Sequence, residues 1–350
     1  MLQYNYEKTL DEYSSILLDQ KVEFNIDSQS SISLRYKYYV KNIYKYEFIN
    51  NNNQTYLYEE LPLLENKTIG LNYKRVIGKN SMISLNYQNE IYSKSFYYPY
   101  YYGDDNSYNI DGETILWSSP NTSTLSILYN TKFNNHQLLF GVDYIDQSYS
   151  SANIFELNNI DIKTESIFGE DDTKKMSETA IFILDNFEYN DIEFNLGARL
   201  NYHSKYKTRI SPSISLMKAI NNYNYRFNFS QSYRLPSLKE IYYKYEGHSP
   251  PVYGNENLEP SISNYYSLSI ESRKYINNSI EFYYNDVSNM ISYNLIDYDG
   301  DGSSDAYQYS NEEDIDLYGF NLSIMVSSIE KITLNSVYTF TEAQSNYKEV

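Results

Sequence analysis

Cysteine is absent from the 350 residues, which removes disulfides, thiolate metal sites and cysteine nucleophiles and leaves the redox compartment open. Long apolar runs are absent too. The longest, Ala180 to Leu184, spans five residues, against the roughly 18 to 20 that a membrane helix needs, so no transmembrane helix is expected. The first twenty residues carry Glu7, Asp11 and Glu12 and lack a basic start followed by an apolar stretch; they do not read as a secretory signal. Histidine is scarce, at 3, and no G-x-S-x-G, H-E-x-x-H, Walker or Rossmann pattern occurs. That leaves little material for acid–base or phosphate chemistry, and enzymatic activity is not expected. Basic residues number 28 against 46 acidic ones, a net charge of −18. Such a surface repels nucleic-acid phosphates and attracts cations.

Tyrosine is plentiful, at 44 residues, and accounts for most of the 17% aromatic content. Its ring is apolar at one end and wet at the other, which suits boundaries between water and an apolar phase. Leu, Ile, Val and Phe together make about a quarter of the chain, above the roughly 20% below which disorder is expected.

The apolar residues alternate. Ile192, Phe194, Leu196, Ala198, Leu200 and Tyr202 share one face, while Glu193, Asn195, Arg199, Asn201 and His203 share the other. Tyr223, Tyr225, Phe227 and Phe229, and Tyr318, Phe320, Leu322, Ile324 and Val326, repeat the pattern. This period of two is that of strands with one greasy and one wet face. Strands are expected near 16–27, 31–49, 67–77, 81–94, 122–133, 137–147, 179–188, 192–203, 207–218, 223–234, 262–273, 279–293, 312–326 and 331–341, with 2–9 as a further candidate. Short turns alternate with long loops near 50–66, 95–121, 148–178, 235–261 and 294–311, with one short exception at 204–206. Segregating loop length by end is the habit of an outer-membrane barrel, with short periplasmic turns and long external loops. The expected fold is therefore all-β, an antiparallel transmembrane β-barrel contributing about 14–15 strands. With the short turns in the periplasm, both ends of the listed strands fall outside, so residues 1–350 read as a partial barrel domain. A soluble β-rich protein would leave large outward apolar patches in water, which disfavours that alternative.

From Tyr225 the sequence reads YRFNFSQSYRLPSLKEIYYKYEGHSPPVYGNENLEP. Arg234, Pro236, Ser237 and Glu240 resemble the aromatic-Arg-Ala-Pro-Ser-x-x-Glu element of TonB-dependent outer-membrane receptors, with Leu235 in place of the usual Ala. Gly254, Asn255, Asn257, Leu258 and Pro260 resemble the Gly-Asn-Pro-Asn-Leu-Lys-Pro element, with Glu256 and Glu259 as departures. Tyr309, Asn311, Tyr318 and Gly319 fit the strand that follows. The likeness is greatest to cobalamin and ferric-siderophore receptors. It implies a barrel of about 22 strands around an N-terminal plug, opened by the TonB-ExbB-ExbD system, with some strands and the plug lying outside 1–350. Expected partners are outer-membrane lipid, TonB-ExbB-ExbD and a metal chelate such as a ferric siderophore or cobalamin. A haem receptor of the same family, or a passive porin or adhesion barrel without a plug, are the alternatives.

Candidate sites fall in the external loops. Tyr98, Tyr100, Tyr101 and Tyr102, beside Phe96 and Tyr97, offer stacking and hydrogen bonding to a planar or catecholate ligand, with Trp117 as a possible neighbour and an aromatic girdle as the structural alternative. His248, between the two elements, resembles the loop histidine of haem receptors. Asp297, Asp299, Asp301 and Asp305 form a D-x-D-x-D-G run able to offer calcium hard oxygens, although the twelfth position is Gln308 rather than Glu; Asp104, Asp105, Asp111 and Glu113 are a weaker second group. Arg199, Arg226 and Arg234 are expected to face the lumen. His136 is expected in a periplasmic turn and His203 near the external rim.

Overall fold

The structure, a computed structural model, describes residues 12–51, 54–98, 113–157, 161–166, 173–245, 250–272, 276–311, 314–329 and 332–345. The strands are β1 (Glu12–Asn25), β2 (Ser30–Asn51), β3 (Gln54–Ile77), β4 (Ser81–Tyr98), β5 (Glu113–Phe133), β6 (His136–Leu157), β7 (Asp161–Ser166), β8 (Thr173–Tyr189), β9 (Ile192–His203), β10 (Arg209–Ile220) and β11 (Tyr223–Arg234). After a one-turn helix, α1 (Leu238–Tyr242), come β12 (Lys244–Tyr245), β13 (Val252–Tyr253), β14 (Ser261–Ser272), β15 (Ile276–Ser288), β16 (Ile291–Ile296), β17 (Ala306–Asn311), β18 (Ile315–Ile329) and β19 (Ile332–Ser345). Fourteen strands form one antiparallel meander in chain order, β1 to β6, β8 to β11, β14, β15, β18 and β19, while β7 pairs with β6. The sheet is open: among the described residues β1 and β19 each pair on one side only.

Its two faces differ as the alternation requires. Register places Leu85, Ile127, Val142, Ile181, Leu200 and Ile210 in one row across six strands, and the last five of these are exposed. The opposite face carries paired polar groups: Asn228 accepts from Ser215 at 2.7 Å and donates to Ser267 at 3.0 Å, and Asn321 accepts from Thr339 at 3.0 Å and donates to Glu281 at 3.2 Å. A sheet greasy outside and hydrogen-bonded inside is stable where hydrocarbon bathes the outer face.

Two aromatic rows bound that outer face. Phe133, His136, Phe187 and Phe194 are neighbours in the lower row, and Tyr87, Tyr144 and Tyr202 share the upper row with Leu125 and Thr179. Phe187 and Thr179 lie eight residues apart. At about 3.3 Å per residue and a tilt near 40° this separates the rows by about 20 Å, close to the roughly 25 Å apolar band of an outer-membrane barrel. The lower edge is closed by tight turns whose residues adopt left-handed backbone: Gly78, Asn134, Asn190, Asp191 and Asn221 have φ between 51° and 64°. Gly, Asn and Asp tolerate that region best, and twist-matched hairpins demand it.

The upper edge corrects the sequence reading. Much of 50–66, 95–121 and 148–178, expected as loop, is strand: Tyr46 pairs with Glu59, Tyr98 with Glu113 and Tyr149 with Lys174. Above the membrane both faces of a hairpin are wet, so alternation fades although the ladder continues. The 294–311 segment likewise folds into the β16–β17 hairpin, within a second sheet ordered β12-β13-β17-β16. The 2–9 candidate strand lies outside the described residues. Tyr149, Met176 and Leu238 form a small buried cluster at this end, under the second sheet.

Candidate functional site

The site is built from the segment linking β11 to β14. Pro236 cannot donate a ladder hydrogen bond, the chain leaves the sheet, and Ser237 starts α1. Its Oγ accepts from the Glu240 amide at 3.2 Å, while the Glu240 carboxylate accepts from the Ser237 amide at 2.7 Å and the Ser237 hydroxyl at 2.9 Å. This is a capping box, which satisfies donors that a helix start leaves unpaired. The other Glu240 oxygen accepts from Arg234 Nη2 at 2.5 Å, tying α1 to the last residue of β11.

The second element packs onto the first. The Gly254 amide donates to Tyr243 O at 2.5 Å and the Asn255 amide to Glu240 O at 2.9 Å. A Cβ on Gly254 would stand 2.6 Å from Ile241 O, so no other residue permits this approach. Asn255 Nδ2 donates to Tyr309 O at 2.9 Å, and Asn311 Nδ2 donates to Glu259 O at 2.9 Å. Pro236, Ile241, Leu258 and Pro260 are fully buried. Arg234, Pro236, Ser237, Glu240, Gly254, Asn255, Leu258 and Pro260 are thus a scaffold that presses α1 against the wall and holds the β16–β17 hairpin over it, while Asn257 donates its amide to Asn255 Oδ1 at 2.9 Å.

Between scaffold, hairpin and wall lies a cavity of about 960 Å³, lined by Lys94, Trp117, Tyr149, Lys239, Tyr243, Tyr293, Tyr307 and Tyr309 among others. Lys94 Nζ sits 4.8 Å from the Phe96 ring and 5.2 Å from Trp117, and the two rings are 5.0 Å apart. Lys239 Nζ lies 4.7 Å over Tyr243. Tyr293 meets Tyr307 and Tyr309 edge-on at 5.6 and 6.1 Å. Among the described residues the lining contains two lysines and no carboxylate, in a chain of net charge −18. Burial raises the Tyr149 and Tyr309 phenols above their ordinary value, with Glu240 adding to the effect at Tyr309, so both remain hydrogen-bond donors at neutral pH. The arrangement fits an anionic ligand with aromatic faces.

Of the aromatic group expected from sequence, Trp117 reaches this cavity. Tyr98 ends β4 opposite Glu113; its side chain, and Tyr100, Tyr101, Tyr102, Asp104, Asp105, Asp111 and His248, lie outside the described residues. Asp297, Asp299 and Asp301 are exposed and bring carboxylate oxygens within 4.8 Å of one another. These are the described residues able to share a cation, in competition with backbone amides, since Asp297 already accepts from Gly300, Asp301 and Gly302. Asp305 stands apart from the three and accepts from the Tyr298 amide at 2.8 Å.

Arg199 faces the lumen, donating to Asp143 at 2.6 Å and Asn201 at 2.8 Å. Arg226 Nη2 contacts Met217 Sδ at 3.2 Å. His203 closes β9 at the external rim, where its Nδ1 accepts from the Lys205 and Tyr206 amides at 3.0 and 3.3 Å. Nearby the wall has a seam. β10 pairs with β9 from Arg209, yet its ladder with β11 starts only at Ser213, after Pro212. A second recess of about 560 Å³ adjoins the seam, and Tyr233 reaches across to Glu178 at 2.5 Å.

The family described as TonB dependent receptor-like, beta-barrel matches residues 4–349. No curated protein matches the sequence. Among solved structures, the siderophore receptor PirA from Pseudomonas aeruginosa superposes with a TM-score of 0.73 at 15% identity, over 95% of this chain and 57% of that one. A mutant of the ferric enterobactin receptor PfeA from the same organism gives 0.70 at 14% identity, over 97% and 53%. The ferric-catecholate import receptor Fiu from Escherichia coli gives 0.67 at 12% identity, over 96% and 58%. The chain therefore spans just over half the length of each.

Proposed function

We propose, from the premise that this chain belongs to the TonB-dependent receptor β-barrel family and sits in a Gram-negative outer membrane, that it serves TonB-energised uptake of an anionic ferric chelate. The cavity beneath the β16–β17 hairpin is its external binding wall. One observation carries the reading: an acidic protein places two lysines, a tryptophan and five tyrosines around one cavity, with no carboxylate among the described lining residues. A ferric tris-catecholate is an anion with flat aromatic edges. Lysine ammonium groups supply the opposite charge, and ring faces with phenol donors complement the catechols. The haem alternative rests on His248, outside the described residues, and no feature of the cavity favours cobalamin.

The test is uptake of radiolabelled ferric enterobactin by cells expressing the protein in its native genetic context. Joint replacement Lys94→Gln and Lys239→Gln is expected to weaken half-saturation by roughly tenfold or more, the loss of two charge-assisted contacts of about 1 kcal/mol each. Uptake should vanish in a strain lacking TonB. Unchanged uptake without TonB, or steady ion conductance by the protein, would establish the passive porin instead.

A further inference from the structure

The seam between β10 and β11 is an interior break and not a frayed end. Arg209–Pro212 stay paired with β9 and Gln231–Arg234 with β14, yet the two segments share no ladder with each other. Pro212 has no N–H to give, and proline in a sheet is confined to edges. Pro212 lies opposite Ala198, which lies opposite Ile183, four residues from either aromatic row, and Arg209 lies opposite Asn201, next to Tyr202 of the upper row. The break therefore runs from mid-depth to the external rim, through the zone of the outer leaflet's acyl chains. One side chain crosses it. Tyr233 continues the outward series Tyr225, Phe227, Phe229, but its hydroxyl donates to Glu178 at 2.5 Å, and Glu178 alternates with the outward Thr179 and Ile181 onto the luminal face.

We propose that the recess beside this seam receives the acyl tail of an amphiphilic ferric chelate whose iron-bearing head fills the cavity under the β16–β17 hairpin. The recess and the cavity adjoin, since Gln147 and Ser237 line both. Their chemistry differs. The cavity gathers two lysines without a carboxylate, whereas each ionised or basic side chain lining the recess is already engaged within the protein: Glu178 by Tyr233, Arg199 by Asp143 at 2.6 Å and Asn201 at 2.8 Å, and His203 Nδ1 by the Lys205 and Tyr206 amides. No charge is left there to hold a second anion, while Ile145, Met176, Pro212, Leu235 and the Tyr233 ring supply apolar contact. A tail that leaves the head at Gln147 and Ser237 runs along these groups toward the seam, with hydrocarbon on its far side. The inference rests on the chelate reading above and narrows it to chelates that carry a tail.

The test compares uptake of two radiolabelled ferric tris-catecholates with identical heads, one bearing a decanoyl group and the other an acetyl group, by cells expressing the protein in its native genetic context. The decanoyl chelate is expected to half-saturate at a concentration roughly tenfold lower, the effect of burying about two methylenes. Ser211→Phe and Ser232→Phe fill the recess from opposite banks of the seam and lie outside the cavity lining. Each should abolish the decanoyl advantage and leave the acetyl chelate unchanged, which also shows that the variant folds. Partition of the tail into the bilayer at large acts equally on all three proteins, so an advantage that survives both substitutions would overturn the site. Equal half-saturation in the unaltered chain would overturn it too, and would leave the recess to a membrane lipid, with the chelate reading intact. Uptake of neither chelate would sink the chelate reading and this inference together.

Discussion

Ile183 is the position at which the membrane reading is most exposed to refutation. It points outward between Phe140 and Ala198, is 41% exposed, and stands four residues from Phe187 in the lower aromatic row and four from Thr179 in the upper. By the same rise and tilt it sits about 10 Å from either row, at mid-depth. An arginine on the lipid face costs about 2–4 kcal/mol at mid-depth and about 0–1 near the interfaces. Ile183→Arg should therefore shift the folding equilibrium by roughly 30-fold or more. Phe187→Arg should cost far less electrostatically, and Asn186→Arg, on the luminal face, should fall within about 0.5 kcal/mol of the unaltered chain. Urea unfolding in phosphatidylcholine vesicles, followed by the fluorescence of Trp117, the single tryptophan, measures all three. Equal costs at Ile183 and Asn186 would mean that the two faces meet the same solvent, and the barrel argument would fail.

Ser237→Ala removes the cap of α1 and should destabilise the β11–β14 connection by about 1 kcal/mol, seen as faster amide exchange at 238–243 and weaker chelate binding with the rest of the wall unchanged. His203 tests pH dependence. Burial holds its ring below the ordinary value of about 6.5, opposed by Glu178 and assisted by Lys205. The unfolded chain then binds the extra proton, so this contribution is complete above about pH 6.5 and is lost as pH falls through the range below it. Amide exchange at Lys205 and Tyr206, whose N–H groups Nδ1 accepts, should accelerate between pH 7.5 and 5, and His203→Phe should make it fast and pH-independent apart from the intrinsic rate. Tyr233→Phe deletes the hydrogen bond across the β10–β11 seam and should raise exchange at 209–213 while leaving the β9 turn at 190–191 unaffected; uniform behaviour would show that the seam is not a separate unit.

How much of this was legible depended on what each strand face touches. Ile192–His203 and Tyr223–Arg234 match their alternating stretches end to end, because one side meets lipid and the other the polar lumen, and only a period of two satisfies both. Once β3, β5 and β6 rise above the upper tyrosine row, that contrast disappears and their extensions resemble loops, although backbone pairing persists through Asn51 and Gln54. The paired elements around Arg234 and Gly254 were readable as a resemblance, but their physical role as a clamp was not. It depends on backbone approaches such as Gly254 to Tyr243 that composition does not encode. The cavity was harder still, since Lys94, Tyr149, Lys239 and Tyr293 arrive from four separate segments, and no local pattern unites them.

Asp185 carries the converse lesson. In the stretch AIFILDNFEY it interrupts the outward set Ile181, Ile183, Phe187 with a charge, and an alternation count absorbs it as a single mismatch. The partner that explains it, His136, lies 49 positions away and looks like an ordinary turn residue. A lipid-facing row tolerates few such mismatches because each costs free energy with no water to offset it. A lone charge in an otherwise regular outward series is therefore better read together with its partner across the ladder, and in this wall that partner is the His136 ring, 2.8 Å from Asp185 Oδ2 on the neighbouring strand.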